Sequence, residues 1–182
     1  MSLPHVILTV LCNQDSTGYD ITKQFSRAIG HAWRASHQQV YRELNKLAEA
    51  GAVTYNLEPQ NGKPDRKVYS ITEIGRQSLH QWYTLPVKHA TERDEISAKL
   101  LTSGIFESAP MIEHIQNLID ESRHQLGRYM ELDKTHYAAN TELSQEMRLE
   151  RLALRRNILR TQAWLEWAED VVTELSSFNK AG

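Results

Sequence analysis

A single cysteine, Cys12, in 182 residues leaves no intramolecular disulfide to staple a fold and no Cys-rich zinc module. A lone thiol fits a reducing compartment. No apolar run approaches the ~18–20 residues that a membrane span needs. The apolar opening, Met1 to Cys12, carries no Lys or Arg and no small-residue cleavage site follows it, so it does not read as a signal peptide. Charge of one sign is also lacking. Against 23 Asp+Glu stand 21 Lys+Arg, a formal net of −2, which excludes a polybasic tail and a uniformly acidic disordered chain. Enzyme signatures are absent: there is no Gly-x-Ser-x-Gly, no P-loop and no dinucleotide glycine pattern. Glu92, Asp94 and Glu95 are acids at a helix start, where the dipole favours them without any catalytic role. The eight histidines contain no i, i+4 pair and have no nearby cysteine partner, so no metal and no cofactor are expected. What is left is an ordinary folded chain, 40% hydrophobic and 24% charged, expected to be cytoplasmic and not an enzyme.

The front of the chain changes period several times. Ser2-Leu3-Pro4 reads as a helix start, with Pro where its missing N–H costs nothing, and Val6, Ile7, Val10 and Leu11 form a helical stripe. Cys12 on this helix reads as a small buried hydrophobe. After a polar break, Thr17-x-x-Asp20 opens a second helix carrying Tyr19, Ile21, Phe25 and Ile29, ended by Gly30. Ser36-x-x-Gln39 is a cleaner capping box. It opens a third helix with Val40, Leu44 and Leu47 at i, i+4, i+7, stopped by Gly51. The period then falls to two. Val53, Tyr55 and Leu57 form one alternating run, and Lys67, Tyr69 and Ile71 another. Between them, Glu58 to Asp65 holds an Asn-Gly and two prolines and reads as a hairpin loop. A fourth helix is expected from Thr72 to about Tyr83. Helix, helix, helix, hairpin, helix is the order of a winged helix-turn-helix.

The fold class expected is therefore mostly α: an N-terminal winged helix-turn-helix, three helices plus a two-stranded wing, followed by a C-terminal long-helix dimerisation domain. The divisions fall at 1–83, a linker at 84–90 containing Pro86, and 91–182. Residues 1–83 carry nine Lys/Arg against seven Asp/Glu, a net of +2; the remainder carries twelve against sixteen, a net of −4. Thr91-x-x-Asp94 is expected to start a short helix. Ser108 and Pro110 start a long one with Ile112, Ile115, Ile119, Ser122, Leu126 and Tyr129 on one face. A break near Ala139-Asn140 precedes a last helix, about Leu143 to Ser176. There Leu154, Ile158, Thr161, Leu165, Ala168, Val172 and Leu175 keep heptad spacing. A second line, Leu152, Leu159, Ala163, Trp164, Trp167 and Val171, widens the apolar face beyond what two helices cover. The expected remedy is a second copy of the chain, with Leu152, Leu154, Ile158, Leu159, Leu165, Trp164, Trp167 and Val171 as the dimerisation residues. Arg148, Arg151, Arg155, Arg156 and Arg160 form a basic run that reads as pairing with acids on neighbouring helices. Trp164 and Trp167 serve equally as packing or as the walls of a pocket for an aromatic effector.

The third helix is the candidate reader of DNA. With Val40, Leu44 and Leu47 buried, its far face presents Gln38, Arg42, Asn45, Lys46 and Glu49. Amide and guanidinium groups are the types that pair bidentately with adenine and guanine edges. The N-terminal end of such a helix approaches the bases, which points to His37, Gln38, Gln39, Tyr41 and Arg42. Gln39 ranks below Gln38 because the capping box would turn it back on Ser36. The wing adds Lys63, Arg66 and Lys67 as candidates for phosphate or minor-groove contact. Lys23, Arg27 and Arg34 are further candidate phosphate contacts. A winged fold that docks protein partners and has lost DNA binding is the alternative reading. Salt-dependent DNA affinity separates the two.

The run Val40-Tyr41-Arg42-Glu43-Leu44-Asn45-Lys46-Leu47-Ala48-Glu49-Ala50-Gly51 resembles the PadR-family winged-helix transcription regulators. So does Gly62-Lys63-Pro64-Asp65-Arg66-Lys67-Val68-Tyr69-Ser70-Ile71-Thr72. Ser2 to Leu11, Ala35 to Lys46 and Arg148 to Asn157 extend the likeness over nearly the whole chain, toward a member tied to quorum sensing and virulence. The stretch from about Gly104 to Glu142 resembles it least. The resemblance implies a homodimer joined through its C-terminal helices, with double-stranded DNA bound by the winged domain; a symmetric dimer predicts a pseudo-palindromic promoter site. It also implies activation at some promoters and repression at others. RNA polymerase or other transcription factors are further candidate partners.

Overall fold

The computed structural model describes residues 2–25, 35–60, 63–87, 94–138 and 142–178, without the side chains of 60, 63 and 64. The chain divides into two compact units, Met1–Lys88 and His89–Gly182.

The first unit begins with α1 (Leu3–Asn13), which starts on Ser2 and Pro4 as expected, although the Ser2 side chain makes no capping bond. Its buried residues are Ile7, Leu8, Val10 and Leu11. The polar break after it contains a strand that the sequence pattern does not reveal. β1 (Ser16–Thr17) pairs antiparallel with β3 through Ser16↔Tyr69 and Thr17↔Val68. Two residues carry no period of their own, so only the partner strand defines them. α2 (Gly18–Phe25) follows at once. The Thr17 hydroxyl accepts the Asp20 N–H at 3.1 Å and donates to the Asp20 carboxylate at 2.6 Å, a variant of the capping box in which the acid returns to the hydroxyl. Ile21 and Phe25 are buried, but Tyr19, expected in the core, is exposed. It sits 200° from Ile21 on the helix, on the solvent side. Ile29 and Gly30 lie outside the described residues.

α3 (His37–Glu49) is held at both ends. The Ser36 hydroxyl accepts the Gln39 N–H at 3.2 Å, and the Gln39 side-chain oxygen accepts the Ser36 N–H at 2.8 Å. At the other end Gly51 has φ +69°, which an L side chain rarely adopts. Its N–H reaches Ala48 O at 3.0 Å, and the Ala52 N–H reaches Leu47 O at 2.8 Å, together a Schellman turn. Strands β2 (Val53–Gln60) and β3 (Lys63–Ile71) form the wing. They run further than the expected loop from Glu58 to Asp65, and only residues 61 and 62 separate them. Pro59 is tolerated because β2 is an edge strand and its register shifts between Glu58 and Gln60. With β1 the sheet has three strands in the order β1-β3-β2. α4 (Glu73–Thr84) starts on Thr72, whose hydroxyl accepts the Gly75 N–H at 3.2 Å and donates to Gly51 O at 2.6 Å. The helix returns to α1, where Trp82 stacks on His5 with ring centroids 4.9 Å apart. The core is Ile7, Leu8, Val10 and Leu11 with Ile21, Phe25, Val40, Leu44, Leu47, Val53 and Tyr69.

The second unit contains α5 (Glu95–Thr102), α6 (Ala109–Leu132) and α7 (Gln145–Phe178). α5 is capped by Asp94, whose carboxylate accepts the Ile96 N–H at 3.0 Å, and so starts later than a box opened at Thr91. Thr91 itself lies outside the described residues. α6 continues into a π-helical turn, Asp133–Ala138, which buries Tyr137. Ile115 and Ile119 of α6 meet Leu165, Ala168, Val171 and Leu175 of α7. Tyr129 and Tyr137 meet Leu154, with Ile158 packed alongside.

Of the expected dimerisation residues, Leu154, Leu165 and Val171 are buried within the chain's own core. Ile158, Trp164 and Trp167 are half-buried against the same clusters. Only Leu152, 60% exposed, and Leu159, 55% exposed, stand free of it. A heptad seam has the same spacing whether its partner is the preceding helix or a second chain.

Candidate nucleic-acid interface

α3 presents its reading face because its other face is fully committed. Val40 and Leu44 are completely buried and Leu47 nearly so. His37, Gln38, Gln39, Tyr41, Arg42, Asn45 and Lys46 are all exposed. At 100° per residue, Gln38, Arg42 and Asn45 lie opposite the buried stripe, with Glu49 at the far C-terminal end. Two of the candidates are engaged within the helix. Gln39 closes the capping box, and the Lys46 ammonium lies 3.5 Å from the Glu43 carboxylate. Gln38, Arg42 and Asn45 are therefore the central polar group of the face, and Tyr41 occupies its flank.

Tyr41 joins this face to the wing. A Cβ built on Gly18 would sit 2.5 Å from Tyr41 Cε1 and 2.8 Å from Cζ, so the ring lies directly on the start of α2. Sequence reasoning missed Gly18; the signal was its place next to the helix cap. Gly18 follows β1, whose partner is the Val68-Tyr69 stretch of β3. Tyr69 is buried and its ring lies 5.6 Å from that of Tyr55, its directly opposed partner on β2. Burial raises the Tyr69 phenol above its usual range. The nearby Lys67 opposes that shift, while Tyr41 and Tyr55 add to it. The Lys67 ammonium stands 4.1 Å from the centroid of the Tyr55 ring, a cation–π contact. Three tyrosines thus connect the recognition helix to a wing lysine.

Arg66 and Lys67 do not form one cluster. Arg66 pairs across the hairpin with its opposed residue Glu58, Nε to Oε2 at 2.7 Å and Nη2 to Oε2 at 2.5 Å. Adjacent residues of a strand point to opposite faces, so Arg66 and Lys67 are separated by the sheet. The Lys63 side chain, Arg27 and Arg34 lie outside what the structure describes.

The arginines of α7 are mostly not spent on acids. Among the described residues, Arg151 is the one of the five that forms an ion pair, a bidentate bond to Asp133 at 2.7 and 3.0 Å. That hydrogen-bonded guanidinium holds the Asp133 carboxyl below its usual range. Arg148, Arg151, Arg155, Leu152 and Leu159 line a groove of about 1040 Å³ between α6 and α7. Cys12 is half-buried, and its sulfur accepts a 3.6 Å hydrogen bond from the Arg76 guanidinium, so it is not the fully buried hydrophobe expected. Among the described residues no group of three or more metal-ligating side chains comes together, and no helix is long and apolar enough to cross a membrane.

Comparison with known proteins covers both units. Residues 7–81 match the transcriptional regulator PadR-like family, and residues 92–176 match the family described as virulence activator alpha C-term. A probable transcriptional regulator of Mycobacterium tuberculosis is 32% identical over 96% of this chain and 98% of its own length. The solved structure of the Vibrio cholerae virulence activator AphA is 50% identical, with a TM-score of 0.88 over 97% of this chain and 99% of that one. The structure of Bacillus subtilis PadR in complex with operator DNA is 25% identical, with a TM-score of 0.82 over 96% and 99%.

Proposed function

Because the chain belongs to the PadR-like family of transcriptional regulators, we propose that it is a homodimeric, sequence-specific DNA reader acting at promoters. The observation that carries this reading is the α3 face. Gln38, Arg42 and Asn45 stand exposed on a helix fixed at one end by a capping box and at the other by a Schellman turn. Rigid presentation matters because each bidentate base contact is worth about 1–3 kcal/mol only when its geometry is held. That the B. subtilis relative is solved in complex with operator DNA supports operator DNA as the ligand. In the test, Gln38→Ala or Arg42→Ala weakens binding about fivefold or more and relaxes preference at one base position. Equal loss on every sequence removes that side chain from base reading.

Self-association is argued from α7. Leu149, Leu152, Arg156, Leu159 and Ala163 keep a 3-4-3-4 spacing on its exposed side, and all five are solvent-facing. Arginines 148, 151, 155, 156 and 160 occupy the first half of the helix. From 161 to 178 the charged residues are Glu166, Glu169, Asp170 and Glu174, all acidic. Two copies packed antiparallel bring the basic half onto the acidic half, and parallel copies set like charges together. Asp170→Arg then weakens the dimer in sedimentation, and Arg156→Glu in the same chain restores it. A two-fold dimer predicts two related half-sites about one or two helical turns apart. Activation at some promoters and repression at others is part of this reading. Its support is one relative named a virulence activator and another, B. subtilis PadR, named a negative regulator. A role in quorum-sensing or virulence control, a cytoplasmic location, and contact with RNA polymerase or another promoter-bound factor complete the proposal. Reporter fusions to the bound promoters test the sign at each.

A further inference from the structure

The basic wing looks, in sequence, like one patch. In the structure its two adjacent cations have different fates, and the difference is set by strand geometry. Glu58 and Leu57 oppose Arg66 and Lys67 in register, so each pair shares one face of the hairpin. On the first face Arg66 makes two contacts to one Glu58 oxygen, and the pair carries no net charge. The second face carries Asp65 two residues before Lys67 on the same strand, but among the described residues Lys67 forms no ion pair. Its ammonium rests on the Tyr55 ring, which neither neutralises it nor removes its donors.

The second face is also the one that continues into the recognition helix. Tyr55 abuts Tyr69, and Tyr69 belongs to the strand that holds β1. Gly18, directly after β1, lies under the Tyr41 ring of α3. A phosphate backbone tracking along the exposed flank of α3 therefore meets Lys67 and not Arg66. Resting on proposed DNA binding by α3, the geometry points to a one-sided wing: Lys67 is its phosphate contact, Tyr55 is the positioning residue that aims Lys67, and Arg66 is withheld by Glu58 on the opposite face.

A phosphate contact releases counterions, so it contributes about 0.9 to the slope of log affinity against log salt. A cation already paired with a carboxylate contributes nothing. The experiment measures affinity of the full-length chain over a salt series, on a duplex carrying the motif that the protein itself selects from random sequence. Lys67→Ala lowers the slope by about 0.9, and Arg66→Ala leaves it unchanged. Tyr55→Leu weakens binding about 2- to 5-fold, the fold-change equivalent to the ~0.5–1 kcal/mol of an exposed cation–π contact. Tyr55→Phe keeps the ring and restores binding, a rescue that a hydroxyl-dependent role would not give. Melting temperature, read in parallel, reports whether Tyr55→Leu acts through folding alone. An equal fall in slope for Arg66→Ala overturns the one-sided wing, and unchanged affinity in Tyr55→Leu overturns the positioning role. Absence of any salt-dependent DNA binding by the unmodified chain overturns instead the reading on which both rest.

Discussion

Replacing Gly75 by alanine sets two physical effects against each other. Gly75 lies in the first turn of α4, and alanine there gains roughly 0.5–1 kcal/mol from helix propensity alone. The new Cβ, however, would stand 2.2 Å from the Ala52 carbonyl oxygen and 2.8 Å from Ile71 Cγ1. The Ala52 carbonyl cannot retreat cheaply. It accepts the Thr72 N–H at 3.1 Å, and the Ala52 N–H closes the Schellman turn of α3 on Leu47 at 2.8 Å. Moving α4 away instead stretches the Gly75 N–H from the Thr72 hydroxyl, now at 3.2 Å. Overpacking of this kind costs about 1–3 kcal/mol, and a backbone obstacle places it at the upper end. After subtracting the propensity gain, a net loss of about 2 kcal/mol is expected. For a unit of this size that lowers the melting temperature by roughly 8–16 °C. Calorimetry on the full chain, following the transition of the first unit, is the assay. An unchanged or raised melting temperature would falsify the packing argument, because propensity would then have won.

Gly18→Ala is the companion with the opposite signature. The nearest atoms to its Cβ all belong to the Tyr41 ring, the far end of an exposed side chain that can swing aside. Stability should change by no more than ~1 kcal/mol, while DNA affinity falls several-fold because Tyr41 is displaced along the reading face; a large melting shift with unchanged affinity would contradict this. A pH dependence follows from His5. Burial against Trp82 holds its imidazole below the ordinary 6.5, and its buried Nδ1 has no hydrogen-bond partner among the described residues. The folded state thus binds its proton more weakly than the unfolded state, so the stability this gives is present above pH 6.5 and is lost as the pH falls through the lowered pKa. Melting temperature measured from about pH 7.5 to about 5 should fall less steeply in His5→Phe, and identical slopes would dismiss His5 as the cause.

Legibility from sequence followed how local each determinant is. The caps of α3 were readable because Ser36, Gln39 and Gly51 each act within four residues on their own helix. β1 was not, since two residues become a strand only by pairing with Val68 and Tyr69, some fifty positions away. The length of the wing strands was underestimated because Pro59 and Pro64 usually end strands. Here the edge position and the register shift absorb the first, and Pro64 lies beyond the stretch of β3 that β1 pairs. The α3 face followed directly from the 3.6 period. Grouping Lys63, Arg66 and Lys67 as one patch ignored the period of two that the same strand displays. Pairing of Arg66 with Glu58 depends on hairpin register, which no local pattern reveals. The seam of α7 is readable as spacing, but spacing does not say which element covers it; within the chain, Leu154, Leu165 and Val171 pack on α6 and the π-helical turn.

In the proposed function, α3, presented in two copies, reads a specific DNA sequence. Selection of bound fragments from random duplex DNA by the purified chain, at near-physiological salt with excess competitor, tests it most directly. Enrichment of a motif with two related halves about one or two helical turns apart is expected, with loss of that enrichment in Arg42→Ala. No enrichment by the unmodified chain would contradict it and leave the winged unit as a docking module for proteins.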